Sequence, residues 1–552
     1  MLRIGIDFDN TIACYDRAFV DVAALMGLDV AAIAATKVDI KKQLVQQPGG
    51  DVHWQRLQGQ VYGRHMLRAE MFPGFAEFCK LARQRGHELF IVSHKSEFGH
   101  FDEERISLRE QSLRWMDANG FFAADGLGFH RDDVFFESTR EAKVRRITAL
   151  NCTHFIDDLI EVFDEPEFPD HIQTTLFRPG ATHAADARPS AGSWRELAEQ
   201  HLGSWDEADV RDVASTQFPQ LEIDEAVRWP GRGNSRVYRL ASRSELQYVL
   251  KVYPDRQLDP RPRLETEFAA SQALRRRDYP VADQVACDAA LGWAVYRWID
   301  GVPIGSPDTA FMADAQMFVE RLYRDSRRGD VFVDLPAASE ACLCGAEIQR
   351  QIARRIDRLG SVPSDSLQAF LDQEFLPVFD AVLRDAQEAC AAVFETDLAR
   401  AWQVASPSDF GAHNALRVAS GRAVFFDFEY FGWDDPVKLV SDFFWHPGMR
   451  LDAVQREQWL SWCREMFRDD PQFAQRLSSY LPLFGLRWCL IQLNEFARSG
   501  AAHRVHAAPQ KAGDLDKIRR DQLHKSRALL SEVEEMRHVP GRTFQTPSAQ
   551  HR

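Results

Sequence analysis

Along the first two hundred residues the apolar positions fall into short unbroken runs set between longer stretches of helical spacing. The runs are "LRIGID", "ELFIVS" and "THFIDD", while "GFAEFCKLARQRG" and "AKVRRITAL" repeat their apolar positions at intervals of three and four. Apolar runs of this length, alternating with amphipathic helices, predict a parallel sheet covered on both faces, a doubly wound α/β domain. Helical stretches over residues 15–70 interrupt the alternation after the first strand. Each predicted strand ends in polar residues, Asp7 and Asp9, then Ser93, then Asp157 and Asp158. In a parallel sheet such ends collect in one crevice.

Past "TTLFRPG" the text turns rich in Ala, Gly and Ser, and one short helix, "WRELAEQHLG", follows. This predicts a first domain at 1–204, a linker at 205–216 and a second domain at 217–540. In the second, "SRVYRLA" and "LQYVLKVYP" read as antiparallel strands around "SRSE", "ETEFAASQALRRR" as a helix, and "VACDAALGWAVYRWIDG" as a strand pair. From about residue 308 the spacing is mainly helical, broken by short strands near Asp409 and Asp427, and residues 541–552 read as a loose tail. Strands first and helices later predict a two-lobed α+β domain.

A chain of 552 residues is too long for one ordinary core, which agrees with two domains. The formal net charge of −15 opposes binding to nucleic acid and to anionic membranes. No apolar run reaches bilayer length, and Asp7 and Asp9 interrupt the place where a signal peptide needs apolar residues, so a cytoplasmic location is expected. The nine cysteines lack paired spacing apart from Cys342 and Cys344, and reduced, buried thiols are expected.

In "GIDFDNT" two carboxylates sit two residues apart at a strand end, so both face the crevice while Phe8 points inward. That spacing suits a nucleophile and an acid–base partner around one cation. Ser93 adds a hydroxyl, Lys143 a cation at a helix start with Arg145 and Arg146 as near neighbours, and Asp157 and Asp158 further carboxylates. His94 and Lys95 read either as site lining or as solvated loop residues. Taken in order, "DFDNT", "IVSHKS", the lysine of "EAKVRRI" and "FIDDL" resemble the haloacid dehalogenase-like phosphohydrolases. The resemblance implies a Rossmann-like sheet with a small helical cap at about 13–73, Asp7 as nucleophile and Asp9 as acid and base. It further implies that Ser93 and Lys143 hold the phosphoryl group, and that Asp7, Asp9, Asp157 and Asp158 bind Mg²⁺. The substrate class it implies is a small phosphate monoester.

Phosphoryl transfer from ATP needs a cation on the phosphates, oxygen ligands for Mg²⁺ and an acidic group for the proton of the attacking hydroxyl. Lys251 in "YVLKVYP" and Glu267 on the next helix, with Glu265 as the alternative partner, supply an ion pair, and Asp409, Asn414 and Asp427 supply the rest. Here the chain resembles the aminoglycoside phosphotransferase and choline kinase-like group, with "PSDFGAHN" and "FFDFE" in place of its two acidic signatures. Carried over, a protein-kinase-like fold has Asp409 as base, Asn414 and Asp427 on Mg²⁺, and Lys251 with Glu267 ordering ATP. Gly231 and Gly233 of "GRGNSRVY" would cover the phosphates, and Trp298 of "YRWIDG" would lie at the adenine hinge. Pro407 and Ser408 stand where the group has His and Gly.

Together these readings predict a bifunctional enzyme, a Mg²⁺-dependent phosphatase joined to an ATP-dependent kinase of a small hydroxylated acceptor such as a sugar or amino alcohol. Two alternatives are a regulatory protein whose second domain binds nucleotide without turnover, and an antibiotic-modifying phosphotransferase. A nucleic-acid end-repair enzyme is disfavoured, because no G-x-x-x-x-G-K-[ST] loop is present.

Overall fold

The computed structural model describes residues 1–28, 36–101, 104–123, 126–179, 188–230, 235–254, 259, 261–329, 331–497 and 515–538. It divides into two units, Met1–Val227 with Leu240–Leu246, and Arg228–Arg239 with Gln247–Arg552.

In the first unit β1 (Arg3–Ile6) enters a turn, and the pair β2 (Ala13–Cys14) and β3 (Glu70–Met71) brackets an insertion of three helices, α1 (Asp16–Leu25), α2 (Lys37–Val45) and α3 (Gly50–Tyr62). Phe19 stacks on Trp54 at 5.1 Å and Tyr15 meets Tyr62 edge-on at 4.6 Å, which ties α1 to α3. The Thr36 hydroxyl accepts from the Asp39 N–H and caps α2.

Next come α4 (Phe75–Gln84), β4 (Glu88–His94), α5 (Leu108–Ala118), β5 (Val134–Glu137), α6 (Arg140–Ala149), β6 (His154–Asp157), α7 (Ile160–Phe163), β7 (Gln173–Phe177), β8 (Ser190–Ala191) and α8 (Trp194–His201). The sheet order is β5-β4-β1-β6-β7-β8, and every neighbouring pair is parallel. β1 therefore lies between β4 and β6, where the winding reverses, and their carboxyl ends form the crevice expected at such a switch point. A Cβ on Gly5 would stand 2.5 Å from the Phe155 ring, so only glycine lets β6 close against β1 here. Phe8 is fully buried, a burial of about 1.5–3 kcal/mol. β5 escaped the sequence reading because it is an edge strand whose four residues are all only half-buried.

The stretch read as a linker, 205–216, is a correction: α9 (Glu207–Gln217) occupies it, with Val210, Val213 and Ala214 buried. Asp206 and Asp209 form a capping box at its start, and the Arg85 guanidinium donates to Asp209 at 2.7 Å.

A five-stranded sheet follows, made of β9 (Ile223–Trp229), β10 (Arg236–Ser242), β11 (Gln247–Val252), β12 (Gln284–Asp288) and β13 (Trp293–Arg297) in the order β12-β13-β11-β10-β9. The division between the units runs through β9 and β10. In the second unit β11 pairs antiparallel with β13, Lys251 opposite Ala294, and α10 (Arg263–Arg275) follows β11 in the chain.

The rest of the second unit comprises β14 (Gly301–Pro303), α11 (Thr309–Ser326), α12 (Gly345–Gly360), α13 (Asp365–Ala369), α14 (Leu376–Ala389), β15 (Val404–Ser406), β16 (Ala415–Val418), β17 (Ala423–Phe425), β18 (Gly432–Asp434), α15 (Pro436–Trp445), α16 (Ala453–Met466), α17 (Phe473–Gln492) and a last helix, Leu515–His538. Every residue of α15 is buried, including Lys438 and Asp442. This strands-then-helices order is the α+β arrangement expected. No helix among the described residues is long and apolar enough to cross a membrane. The tail at 541–552 lies outside the described residues.

Candidate functional site

Beyond its last paired residue, Ile6 opposite Ile156, β1 delivers Asp7, whose N–H donates to the Ile156 carbonyl at 2.9 Å. One carboxylate oxygen of Asp7, Oδ1, accepts from Ser93 Oγ at 3.0 Å and from Lys143 Nζ at 2.6 Å. The same amine donates to Asp157 Oδ2 at 2.7 Å, and Lys143 is buried on the first turn of α6. Oxygens of Asp7, Asp157 and Asp158 come within 4.8 Å of one another. Burial pushes the Asp7 carboxyl up to about 7, with Asp157 and Asp9 adding to the rise and Lys143 opposing it. Burial, then Asp7 and Asp157, push Asp158 up to about 8. An all-oxygen cluster so short of positive charge matches the donor set of Mg²⁺, a hard cation. All six residues predicted for this unit, Asp7, Asp9, Ser93, Lys143, Asp157 and Asp158, lie at these strand and helix ends.

Lys95 is buried and donates to both oxygens of Asp9, at 2.7 and 2.8 Å, and the Tyr15 hydroxyl also donates to Asp9. Of the two readings left open for the pair, Lys95 lines the site, whereas His94 is exposed and its Nε2 lies 3.1 Å from the Ser138 carbonyl. From the insertion, Lys37 at the start of α2 donates to Asn10 Oδ1 at 3.1 Å, and its amine lies 5.6 Å from the centre of the Tyr62 ring. Burial lowers the Lys37 amine, while Asp9 and Asp158 raise it. Lys37, Tyr15 and Tyr62 were not among the sequence candidates. "DIKK" and "TKVD" read as an ordinary solvated helix start, and nothing local distinguishes Lys37 from Lys41 and Lys42.

In the second unit Lys251 alternates inward on β11. Its amine donates to Glu267 Oε2 at 2.6 Å, Asp427 Oδ1 at 2.6 Å and Glu429 Oε2 at 3.2 Å. Glu267, not Glu265, is therefore the α10 partner, and the Tyr253 hydroxyl also donates to it at 2.6 Å. Burial alone would push the Lys251 amine down, but the three carboxylates hold it well above the ordinary lysine range. Glu429 is pushed up to about 7 by burial, with Asp427 adding to the rise. Asp427 has a φ of +72°, a left-handed conformation rare outside glycine, which marks a residue held by its surroundings.

The Asp409 loop follows β15. Asn414 Nδ2 donates to the Asp409 carbonyl at 3.0 Å, which makes Oδ1 the side-chain atom able to ligate a cation, and the Asn414 carbonyl accepts from the Phe426 N–H beside Asp427 at 3.1 Å. The carboxylates grouped with Asp427 are Glu267 and Glu429, oxygens within 4.8 Å, an addition to the predicted pair. Asp409 Oδ1 lies 2.9 Å from His413 Nε2 and 3.4 Å from His446 Nε2. Burial would raise Asp409, but the bond from His413 and the field of His446 hold it well below the usual carboxylate range. Ser408 has a φ of +60°, and its hydroxyl accepts from Lys438 Nζ at 3.3 Å. Trp298 is half-buried after β13, its N–H bonded to the Gln247 carbonyl at 3.0 Å and its ring edge-on to Trp229. Gly231 and Gly233 lie outside the described residues.

No family model matches the chain. No curated protein matches it either. Among solved structures it is similar to the choline kinase LicA from Streptococcus pneumoniae (14% identity, 58% of this chain and 98% of that one, TM-score 0.39). It is also similar to an ethanolamine kinase from Plasmodium vivax (12%, 60% and 92%, TM-score 0.40). A third is the spectinomycin phosphotransferase APH(9)-Ia (11%, 60% and 99%, TM-score 0.42).

Proposed function

We propose that the chain is a bifunctional phosphoryl-transfer enzyme, a phosphatase of small monoesters in the first unit and an ATP-dependent kinase of a small hydroxylated compound, such as a sugar or amino alcohol, in the second. One observation carries it: each unit holds a buried lysine between carboxylates, Lys143 between Asp7 and Asp157, and Lys251 among Glu267, Asp427 and Glu429. Such an amine is neutralised in the free protein and is available to phosphate oxygens when these displace a carboxylate.

In the first unit Asp7 Oδ1 is occupied by Ser93 and Lys143, which leaves Oδ2 to attack phosphorus as the bond to the leaving oxygen breaks. Asp9 passes a proton to that oxygen, then removes one from the water that attacks the aspartyl-phosphate, and inorganic phosphate leaves. Mg²⁺ held by Asp7, Asp157 and Asp158 would spread the phosphoryl charge.

In the second unit Asp409 takes the proton of the acceptor hydroxyl, the oxygen attacks the γ-phosphorus of ATP, the bond to the β–γ bridging oxygen breaks, and ADP leaves. Asn414 and Asp427 would hold Mg²⁺ there. Incubation with ATP, Mg²⁺ and a panel of sugars and amino alcohols, read by mass spectrometry, tests the kinase. Asp409→Ala must abolish the phosphorylated product, and retention of the product refutes the base. Release of phosphate from p-nitrophenyl phosphate tests the phosphatase, and it must vanish in Asp7→Asn. A second reading, in which the second unit binds nucleotide and regulates the first, is favoured by Pro407 and Ser408. Tight ATP binding without ADP formation on any acceptor would select it.

A further inference from the structure

His446, the residue that ends α15, is held on several sides. Its N–H donates to the Asp442 carbonyl at 2.9 Å, and its ring Nδ1 accepts from the Gly448 N–H at 2.9 Å. One face stacks on His413 with centroids 3.7 Å apart and planes 10° from parallel. Trp488 meets the ring edge-on at 4.7 Å and is itself fixed by its Nε1, which donates to Asp442 Oδ1 at 2.8 Å.

A backbone N–H donates to His446 Nδ1, so that nitrogen carries no proton and the ring proton sits on Nε2. Nε2 faces Asp409 Oδ1 at 3.4 Å, the oxygen that His413 Nε2 approaches at 2.9 Å. His413 thus hydrogen-bonds this oxygen and His446 faces it at longer range, both on the Oδ1 side of Asp409. The same tautomer argues against a metal on Asp409, His413 and His446, although their donor atoms lie within 4.8 Å, because a protonated Nε2 has no lone pair to give. Burial pushes the ring down to about 4 against the opposing field of Asp409, so His446 acts as a neutral donor.

We propose that His446 is a positioning residue for phosphoryl transfer in the second unit: its Nε2–H holds Asp409 Oδ1 and turns Oδ2 toward the acceptor hydroxyl. It supplies from the end of α15 the support that a loop reading Pro407-Ser408 lacks. Lys438, on the same helix, reinforces the loop through the Ser408 hydroxyl. The proposal rests on the kinase reading.

The test is release of ADP from Mg–ATP with water as the acceptor, measured for the full chain and for His446→Ala, His446→Phe and His446→Gln. Phe keeps a flat ring against His413 and Trp488 but has no donor, while Gln has a donor and no ring. The expected result is a fall in kcat of roughly 10- to 100-fold for Ala and Phe, with KM for ATP changed by about twofold or less, and substantial recovery in Gln. If Ala fails to fold, the comparison of Phe with Gln decides. Wild-type kcat in Phe, or equal loss in Phe and Gln, assigns the residue to packing and overturns the proposal alone. A wild-type chain that releases no ADP, with or without the acceptor panel, overturns the kinase reading and this proposal with it.

Discussion

Replacing Lys143 by Met removes an ammonium that touches both Asp7 and Asp157, at 2.6 and 2.7 Å, and leaves those buried carboxylates and Asp158 without it. Breaking a buried ion pair from one side costs about 3–5 kcal/mol when the remaining charge stays ionised. Here the penalty has an outlet, because Asp7 and Asp158 already sit at about 7 and about 8 and rise further once the lysine is gone. Both folded values lie above the unfolded carboxylate value of roughly 4. The folded variant therefore binds protons that the unfolded chain has released, and it loses stability as pH rises through the raised values. K143M should open more easily than wild type by about 3–5 kcal/mol at pH 8, and the deficit should shrink by about 1–2 kcal/mol at pH 6. Hydrogen exchange of the peptide carrying β1 measures this opening inside the first unit, and added Mg²⁺ should recover part of the loss. K143M with wild-type protection at both pH values would refute the reasoning, because Lys143 would then not be compensating the carboxylates.

Lys251→Met should weaken Mg–ATP binding by about 2 kcal/mol or more, roughly 30-fold, in titration calorimetry, since one partner of a buried charge cluster is lost. Glu267→Gln should weaken it less, because Asp427 and Glu429 still hold the amine. Lys37→Met should raise KM for p-nitrophenyl phosphate about tenfold, the worth of one charged hydrogen bond, and change kcat little, as expected of a group on the substrate side of Asp9 and Asn10. Burial lowers His201 to about 4 and lowers His154, and Thr175 Oγ1 lies 3.0 Å from His201 Nε2. With the folded value below the unfolded one, stability is complete above about pH 6.5 and falls as pH drops toward 4. Between pH 6.5 and 5 the His201 share is about 1 kcal/mol after discounting for its partial exposure, and His201→Asn should flatten the loss in urea unfolding.

The strand ends were legible because two constraints coincide there. An apolar run has to stop where β1, β4 and β6 reach the crevice, and what replaces it is polar: Asp7 and Asp157 each follow three buried residues, and Ser93 follows four. Lys251 and Glu267 were legible for the same reason, a cation inside an alternating strand and an acid on the next helix. Groups brought in from elsewhere in the chain were not. Lys37 arrives from an inserted helix, and Lys251 reaches Asp427 across 176 positions of sequence. α15 is the clearest case. Asp434, Lys438 and Asp442 stand four residues apart, the pattern of a solvated helix face, yet all three are buried and Lys438 forms ion pairs with both acids at 3.1 and 3.2 Å. Sequence spacing cannot separate the two situations, because i,i+4 pairing satisfies the same charges in water or in a core; only the depth of the helix does. The departure at Pro407 and Ser408 has the same origin. Within the loop it reads as the loss of a supporting histidine, but Lys438 on the fully buried α15 donates to the Ser408 hydroxyl, and His446 at the end of that helix stands 3.4 Å from Asp409. If the proposed role of His446 is right, a loop that looks impaired within "PSDFGAHN" is braced from another element, and the rate of His446→Phe measures how much of the transfer depends on that brace.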